Sequence, residues 1–251
     1  MRRFRLLFIA TALLLSACAQ TGSDIYDPFE PLNRQVHAFN KSLDRQVVSP
    51  VGRAYGQIFS EKDQEIIDNV SNNFSQPSII INRLLQFKIG DAISASFRFV
   101  INTTLGFGGM GDVATQLGFP TQSTDFGATL GAWDVPAGPY LELPVWGSST
   151  TRDIVGSAVN FIYDPFNLLI PARAVPLKYG INGLETIGDR NQFADLVDNL
   201  LYETEDSYAA VRLYYLQNRH FEITGEVVSD ITLEDQIDDQ EDFSDFDEFY
   251  E

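Results

Sequence analysis

The segment LNRQVHAFNKSLDRQV, residues 32–47, decides the fold class. Its apolar residues recur every three or four positions and so form one stripe along a helix, comprising Leu32, Val36, Phe39, Leu43 and Val47. Its polar residues fall on the opposite face. The same spacing recurs along much of the chain, whereas the period of two that is typical of strands is scarce. The sequence therefore predicts an all-α protein.

Several helix ends can be placed from residues that favour termini. Ser60 and Asp63 have the spacing of a capping box at the start of a helix. Pro77 is expected to open a further helix, because proline fits the first turn of a helix better than its interior. Gly90 is expected to end that helix, and Asp91 is expected to cap the next one.

Residues 106–147 interrupt the helical pattern, since they contain nine of the 18 Gly, four of the 11 Pro and both Trp. Loops of this length are usually functional or disordered, and the many aromatic residues argue for order. Trp and Tyr suit a boundary between apolar and aqueous surroundings, but they also fill soluble cores. Residue types alone leave both interpretations open.

The N-terminus has the features of a secretory signal peptide. Arginines at positions 2, 3 and 5 precede an apolar run from Leu6 to Leu15. An apolar run of about ten residues is too short to span a bilayer as a helix. We therefore expect this segment to direct export rather than to form part of the fold.

The end of that run, Leu15-Ser16-Ala17-Cys18, resembles the lipobox of bacterial lipoproteins. In a lipobox the cysteine is lipidated and becomes the first residue of the mature chain. The resemblance implies a lipoprotein signal peptide at residues 1–17, lipid attachment at Cys18 and an anchor linker at 18–24. Ordinary cleavage after Ala19 is the alternative, because small residues at 17 and 19 also fit that rule.

Acidic residues dominate the chain, with 35 Asp and Glu against 17 Lys and Arg and a net charge of −18. Nucleic acid is therefore excluded as a main partner, because phosphate recognition needs a cationic surface. Residues 223–251 contain 12 Asp and Glu and neither Lys nor Arg, so repulsion predicts a disordered tail. The tail also has aromatic residues at helical spacing, namely Phe243, Phe246, Phe249 and Tyr250. They are either incidental or part of a segment that folds on a partner.

Motifs for catalysis are weak throughout the chain. Gly106-x-Gly108-x-x-Gly111 matches the dinucleotide fingerprint, but that fingerprint needs a preceding strand, and here a helical pattern precedes it. The chain has two His and one Cys, which are too few for most catalytic metal sites. His37 lies on the polar face of its helix and His220 beside the tail, so we expect both at the surface. The sequence predicts no enzyme, no cofactor and no metal site.

Short motifs along residues 25–220 resemble one family. They include Asp27-Pro28-Phe29-Glu30-Pro31-Leu32-Asn33-Arg34, Asn82-x-Leu84-Leu85-Gln86, Arg98-Phe99 and Asn102-Thr103-Thr104-x-Gly106. Further along they include Asp125-Phe126-Gly127-x-Thr129-Leu130-Gly131-x-Trp133, Gly138-Pro139-Tyr140 and Arg152-Asp153. In this order the motifs resemble the VacJ-type (MlaA) outer-membrane lipoproteins. Phe87 and Asp134 replace expected glycines and Ser148 an expected proline, and a lost glycine can alter a turn that needs positive φ.

The resemblance implies a ring-like assembly of amphipathic helices in residues 25–222, with a central polar channel and a Gly/Pro-rich loop segment. It implies a place in the inner, periplasmic leaflet of the outer membrane. The implied function is removal of mislocalised phospholipids from the outer leaflet and their transfer to a soluble periplasmic lipid-binding carrier, which maintains lipid asymmetry. Trimeric outer-membrane porins are further implied partners. A porin-associated structural lipoprotein without its own lipid path is the alternative.

The same resemblance, together with the Gly-rich segment, suggests residues that line or gate the channel. They are Phe39, Asn40, Asn102, Thr103, Thr104, Gly106, Gly108, Gly109, Gly111, Asp125, Phe126, Gly127 and Trp133. For the Asn102-Thr103-Thr104 run, hydrogen bonding to the backbone at a helix end is an equal alternative. Carrier docking is the role suggested for the tail aromatics, Phe243, Phe246, Phe249 and Tyr250.

Overall fold

The computed structural model describes residues 25–226, and helices account for most of this region. The α-helices are α1 Glu30–Leu43, α2 Ser49–Ile58, α3 Glu61–Leu85, α4 Ile89–Thr104, α5 Val113–Gln116, α6 Phe126–Ala132, α7 Thr151–Ile162, α8 Phe166–Leu169, α9 Val175–Gln192, α10 Ala194–Asp198 and α11 Ser207–Thr224. Two π-helical segments, π1 Asp44–Val48 and π2 Asn199–Glu203, and a 3₁₀ turn at Ala172–Ala174 complete the helical part. The predicted helical class is confirmed.

One antiparallel hairpin lies in the Gly- and Pro-rich segment, where the sequence pattern indicates a loop. Strand β1 Tyr140–Leu143 pairs with strand β2 Gly147–Thr150, and the register places Tyr140 opposite Thr150. Strands of four residues are too short for a period of two to stand out from loop sequence. The hairpin leads directly into α7, because the Thr150 hydroxyl caps that helix by accepting from Asp153 N.

Helix α3 runs unbroken from Glu61 to Leu85. The predicted capping box is confirmed at its start, since the Ser60 and Asp63 side chains each accept from the other residue's backbone N–H. The prediction that Pro77 opens a new helix is wrong, because Pro77 is buried within α3. A proline in a helix interior costs roughly 3 kcal/mol. Packing of α3 against both α4 and α9 outweighs that cost.

The turn from α3 to α4 is made by Phe87, which has a left-handed φ of 58°. Its N–H donates to the Leu84 carbonyl, and the N–H of Lys88 donates to the Arg83 carbonyl. This pair of bonds is a Schellman motif, in which glycine usually occupies the left-handed position. Asp134 also has a left-handed φ, of 59°. The backbone therefore keeps positive φ at both positions where the family pattern has glycine.

Helix α4 begins at Ile89, with Lys88 as its N-cap and without a side-chain cap. The expectation that Gly90 ends one helix and Asp91 caps the next is therefore wrong. The Schellman turn has already reversed the chain before Gly90, so Gly90 and Asp91 lie in the first turn of α4. Gly90 is exposed in that first turn, and its presence does not mark the boundary between α3 and α4.

The interior of the described region is polar, and much of its exterior is apolar. On α1, Asn33 and His37 are 1% and 5% exposed, whereas Leu32 and Phe39 are 59% and 51% exposed. The apolar stripe predicted from the periodicity therefore faces outward. For this reason the prediction that His37 lies at the surface is wrong, while His220 is exposed as expected.

Helix α4 has the same inverted arrangement, with Arg98 and Asn102 buried and Ile93, Phe97 and Val100 exposed. Buried arginines on other helices are paired with carboxylates, namely Arg190 on α9 and Arg212 and Arg219 on α11. This is the reverse of the usual distribution in water, where charged side chains are rarely buried. Among residues 25–226, no helix has the length and apolar character needed to cross a membrane.

Helix α11 ends at Thr224, where Gly225 adopts a left-handed φ of 76°. The predicted signal peptide at 1–17, the lipid attachment at Cys18 and the linker at 18–24 lie outside the described residues. The acidic tail from residue 227 onward also lies outside them, together with its aromatic residues, Phe243, Phe246, Phe249 and Tyr250.

Candidate functional site

The outer edge of the hairpin is held by two asparagines of α1 that lie two helical turns apart. The Nδ2 of the first, Asn33, donates to the Tyr140 carbonyl at 3.1 Å, and its Oδ1 accepts from Glu142 N at 3.0 Å. In a wider sheet, a third strand would form hydrogen bonds with these same backbone groups. Asn33 Nδ2 also donates to the Asp27 carboxylate at 2.8 Å, so both of its donors are used inside the protein.

Asn40, the second asparagine and a predicted channel residue, holds the turn of the same hairpin. Its Nδ2 donates to the Leu143 carbonyl at 2.9 Å and to Glu142 Oε1 at 3.2 Å. Its Oδ1 accepts from Val145 N at 2.8 Å. Val145 has a left-handed φ of 73°, a costly conformation for a β-branched residue. Asn40 therefore fixes both a strained turn and the carboxylate of Glu142.

A cavity of about 230 Å³ lies between α1, the hairpin, both π-helical segments and α11. Its polar wall consists of His37, Asn40, Lys41, Asp44, Glu142 and Ser148. Its apolar wall includes Leu43, Val48, Val145, Leu201 and Val211. π-helical turns are rare and are often found at functional sites. A small cavity with one polar and one apolar wall suits a ligand that has both kinds of surface.

Glu142 is a buried carboxylate of the polar wall. Burial opposes its ionisation, but hydrogen bonds from Tyr140 and Asn40 and the nearby His37 ring outweigh burial and hold its pKa below the usual value. The Tyr140 hydroxyl donates to Oε2 at 2.5 Å, and His37 Nδ1 lies 3.6 Å from Oε1. Burial and the adjacent carboxylate raise the pKa of Tyr140. At neutral pH the polar wall therefore carries a negative charge that fixed donors compensate.

A second polar cluster joins α6, α7 and α11 around Arg219. Its Nη2 lies 2.7 Å from Asp125 Oδ1 and 2.9 Å from Asp153 Oδ1. Asp125, a predicted channel residue, also caps α6 by accepting from Ala128 N at 2.7 Å. Burial disfavours the charge of Arg219, but the two carboxylates outweigh burial and raise its pKa. Asp125 therefore serves as helix cap and counter-charge at once.

Two glycines allow α6 and α7 to touch beside this cluster. A Cβ on Gly156 would come 2.3 Å from the backbone nitrogen of Gly127. A Cβ on Gly127, a predicted channel residue, would come 2.6 Å from Arg219 Nη2 and 2.7 Å from Asp153 Oδ1. Close contact therefore requires glycine at both positions.

The loop after α4 is closed by Asn102 and Gly106. Asn102 Nδ2 donates to Asp112 Oδ1 at 3.0 Å, and its Oδ1 accepts from Ala114 N at 2.9 Å. A Cβ on Gly106 would come 2.2 Å from the Gly111 carbonyl oxygen, so these two predicted residues lie against each other. The Asn102 amide is therefore used within the protein, where it joins α4 to the start of α5.

Thr103, Thr104, Gly108 and Gly109 belong to the same loop. Thr103 accepts from Asn73 Nδ2 at 3.0 Å, and the Thr104 hydroxyl donates to a backbone carbonyl one turn earlier at 2.6 Å. Both glycines have left-handed φ, of 77° and 96°. A Cβ would meet open space at Gly108 but would come 2.6 Å from Asn73 Cβ at Gly109. Both threonines are exposed, so channel lining stays a prediction for them.

The predicted aromatic residues lie toward the outside of the described region. Phe39 and Trp133 are exposed, and Phe126 is partly buried. Trp133 Nε1 donates to the Leu85 carbonyl at 3.0 Å, and its ring packs edge to face on Phe126 with centroids 6.0 Å apart. These side chains are placed to contact apolar surroundings rather than a polar interior.

The predicted polar and glycine residues fall into separate groups, at Asn40, at residues 102–111 and at residues 125–133. No hydrogen bond or ion pair between described residues joins one group to another. Apart from Asn40, the sequence prediction missed the polar wall of the cavity, above all Lys41 and Glu142. Lys41 lies on the polar face of the opening helix, where His37 was expected at the surface, and Glu142 lies in a segment without a pattern.

The described region is similar to known proteins in both sequence and fold. A family model described as MlaA lipoprotein matches residues 25–222. The chain is 34% identical over 230 residues to the intermembrane phospholipid transport system lipoprotein MlaA of Escherichia coli (strain K12), with 89% of each chain covered. It is 33% identical over 190 residues to an uncharacterized protein of Rickettsia felis, with 75% of this chain and 74% of that protein covered.

A solved structure also shares the fold. It is described as "Structural basis for maintenance of bacterial outer membrane lipid asymmetry", and it matches with a TM-score of 0.68 and 31% sequence identity. The match covers 78% of this chain and 98% of that chain. The similarity therefore extends over the whole of the solved chain rather than one motif.

Proposed function

Because this chain belongs to the MlaA lipoprotein family, we propose that it is the outer-membrane lipoprotein of an intermembrane phospholipid transport system. In this role it removes mislocalised phospholipids from the outer leaflet and passes them to a soluble periplasmic carrier. This transfer maintains the lipid asymmetry of the outer membrane. The proposal is supported by the extent of the match to the named relative and by the shared fold. It involves neither catalysis nor a cofactor.

The observation that carries the proposal is the inverted distribution of polarity. Arg98, Glu142 and Arg219 are buried, while Phe97 and Val100 are exposed. A charged headgroup crosses hydrocarbon only at a cost of several kcal/mol or more. A protein with a polar interior and an apolar exterior lowers that cost for the headgroup, while the acyl chains stay in lipid. The arrangement therefore suits movement of an amphipathic molecule along or through the protein.

Two of the helices, α1 and α7, are close in length to the depth of one leaflet. Helix α1 is about 21 Å long and α7 about 18 Å, whereas one leaflet contributes about 15 Å of hydrocarbon. A helix with one apolar face lies in an interface rather than across a bilayer. We place the protein in the periplasmic leaflet, anchored by acyl chains on Cys18. The acyl chains must supply the attachment, because an acidic chain gains nothing from an anionic lipid surface.

The lipid path in this proposal runs through the polar interior and past the Gly-rich loop. Residues 102–111 and 125–133 border that path, and Asn40 sets the hairpin beside it. Porin trimers hold the protein in the membrane, and the soluble carrier receives lipid from its periplasmic side. The aromatic residues of the acidic tail, at 243–250, dock the carrier.

Deletion and complementation test the function directly. Deleting the gene should raise the amount of phospholipid exposed on the cell surface, and the intact chain should restore the normal level. Val100→Glu puts a charge on the apolar exterior and should reduce membrane retention and asymmetry together. Gln57→Glu, at an exposed polar position of α2, is the matched control and should complement fully. Unchanged surface phospholipid after deletion would refute the function.

A second experiment separates lipid transfer from the porin-bound scaffold. Gly108→Arg adds a bulky charge where a Cβ meets open space, at a cost of about 1–2 kcal/mol for a side chain at a φ of 77°. If lipid passes this loop, the variant should keep porin co-purification but lose asymmetry. If the variant binds porin and restores asymmetry fully, the lipid path does not run past this loop.

A further inference from the structure

Lys41 of α1 lines the cavity. Unlike most other buried or half-buried cations among residues 25–226, it has no carboxylate partner. Its Nζ donates one hydrogen bond, to the Ser207 hydroxyl at 3.1 Å, and lies 5.6 Å from the centre of the Tyr202 ring. It makes no salt bridge with any carboxylate of residues 25–226. An ammonium carries three donors, so Lys41 can bind an anion without giving up its bond to Ser207.

Other cations of the interior are neutralised. Carboxylates pair with Arg98, Lys178, Arg190, Arg212 and Arg219. Lys88, which is half-buried, donates to the Ile223 carbonyl at the C-terminal end of α11, where the helix dipole favours a cation. Lys41 has no carboxylate partner, and the helix that carries it continues from its last turn directly into π1. Acidic residues outnumber basic ones in this protein, yet none of those described pairs with Lys41. Lys41 can therefore pair with an anion from outside the protein.

The two carboxylates of the same cavity are already engaged. Asp44 accepts from Arg190 and from Tyr202, and Glu142 accepts from Tyr140 and Asn40. Neither carboxylate forms a salt bridge with Lys41, while their charges remain close to any ligand of the cavity. A ligand with one negative charge is therefore favoured over a ligand with two.

We propose that this cavity binds the phosphodiester headgroup of a phospholipid and that Lys41 is the counter-charge of the phosphate. The inference rests on the proposed function, because it is that function which brings phospholipid to the protein. Leu43, Val48 and Leu201 supply an apolar wall for the glycerol and the first acyl carbons, and Lys41 supplies the polar end. A volume of about 230 Å³ holds a headgroup but not a whole lipid, so the acyl chains extend toward the membrane.

The charge of the ligand distinguishes a lipid from free phosphate. A phosphodiester carries one negative charge at neutral pH, whereas inorganic phosphate undergoes its second ionisation near neutral pH and carries more than one. The neighbouring Asp44 and Glu142 disfavour the second charge. The cavity therefore prefers the diester, although both anions share the phosphate oxygens that Lys41 binds.

Calorimetric titration of the full lipidated chain in detergent tests the subsite. The probe is soluble dihexanoyl-phosphatidylethanolamine, with dihexanoylglycerol and inorganic phosphate as comparison ligands. Lys41→Gln should bind the phospholipid about tenfold more weakly, because one charge-assisted hydrogen bond is lost. Lys41→Arg should restore most of the affinity. Lys62→Gln, an exposed lysine of α3, is the matched control and should bind like the unmodified chain.

The comparison ligands identify the group that Lys41 contacts. Lys41→Gln should leave dihexanoylglycerol binding unchanged, because that ligand has no phosphate. Equal phospholipid affinity for Lys41→Gln and the unmodified chain would overturn the proposal. Inorganic phosphate that binds as tightly as the phospholipid, and displaces it, would reassign the site to free phosphate.

Two further measurements keep the test decisive. If Lys41→Gln fails to fold, Val211→Trp fills the cavity from its apolar wall while Lys41 stays in place, and it should weaken phospholipid binding in the same way. Complementation then separates the claim about the Lys41 subsite from the claim about the function of the protein. If the unmodified chain restores asymmetry but Lys41→Gln binds lipid normally, only the subsite is wrong. If the unmodified chain does not restore asymmetry, the proposed function itself is wrong.

Discussion

Arg190 on α9 holds Asp44 in π1 with two hydrogen bonds, from Nε to Oδ1 at 2.7 Å and from Nη2 to Oδ2 at 2.9 Å. The partners lie 146 positions apart in the chain, and both are buried. Tyr202 in π2 donates to the same carboxylate at 2.8 Å. One ion pair therefore fixes both π-helical segments at the edge of the cavity.

Arg190→Gln should strongly destabilise the fold. The substitution leaves the Asp44 carboxylate buried without its counter-charge, and breaking a buried pair in this way costs about 3–5 kcal/mol. Chemical unfolding in detergent measures the loss. The double variant Asp44→Asn/Arg190→Gln should be less destabilised than the sum of the single changes. Additive losses would show that the pair is not coupled.

The carboxylate of Asp189 on α9, which has a raised pKa, should make stability fall as pH rises. Burial raises its pKa, and burial is also the main cause of the raised pKa of nearby Asp68 and Glu185. A raised folded-state pKa means that stability is fully present below the unfolded-state pKa of about 4 and is lost as pH rises through the folded-state pKa. Asp189→Asn should therefore raise the melting temperature at pH 7, and the gain should shrink toward pH 4.

Glu142→Gln should show the opposite dependence on pH. The pKa of Glu142 is lowered in the folded state, so its contribution is present above the unfolded-state pKa and is lost as pH falls through the folded-state pKa. Melting temperatures of this variant should lie below those of the unmodified chain at pH 7 and approach them in acid. A constant offset from pH 7 down to the acid limit would contradict the assignment of Glu142 as an ionised group.

The sequence predicted the helices better than it predicted which face is buried. Spacing in residues 32–47 shows that Leu32 and Phe39 share a face, and it also shows that His37 lies opposite. It does not show whether that apolar face meets a protein core or lipid, because both environments favour the same stripe. The polar face is buried here because it binds the hairpin through Asn33 and Asn40.

The candidate site was only partly accessible from the sequence. Family motifs led to Asn40, Asp125 and Gly127, and the structure places them at the hairpin and at the contact between α6 and α7. The cavity was missed because its polar wall joins residues such as Asn40 and Glu142, which are 102 positions apart. No local pattern encodes such a contact, and a four-residue strand carries too little periodicity to reveal the hairpin.

Gly156→Ala should disrupt the contact between α6 and α7. The added Cβ would come 2.3 Å from Gly127 N and 2.5 Å from Gly127 Cα, and backbone atoms cannot move aside as a flexible side chain can. Overpacking typically costs about 1–3 kcal/mol, and contact with backbone places this variant at the upper end. The free energy of unfolding measures the effect.

Gly180→Ala is the matched control for that prediction. Gly180 lies within α9, and a Cβ there would have nothing within 4 Å. Alanine should stabilise this helix by about 0.5–1 kcal/mol relative to glycine. Stabilisation of both variants to the same extent would mean that the glycines act through helix propensity and not through contact.

Phe87→Gly should be more stable than Phe87→Ala. Both changes remove the exposed phenyl ring, so the comparison isolates the backbone, which has a φ of 58°. A residue with a Cβ pays about 1–2 kcal/mol in the left-handed region, and glycine avoids that cost but loses about 0.5–1 kcal/mol in chain entropy. The difference between the variants should therefore be about 1 kcal/mol in the free energy of unfolding.

The end of α11 offers the same comparison of glycine with alanine at a left-handed position, but here glycine is the native residue. Gly225 has a φ of 76°, and a Cβ there would meet nothing within 4 Å, so Gly225→Ala should lose stability through φ alone. If Phe87→Ala matches Phe87→Gly while Gly225→Ala is destabilised, the α3–α4 turn does not need its left-handed residue. If alanine is less stable than glycine at both positions, position 87 favours glycine. The phenyl ring of Phe87 then serves a contact outside residues 25–226. For a ring that is 85% exposed beside the apolar stripe of α4, acyl chains are the contact that the polarity of the protein favours.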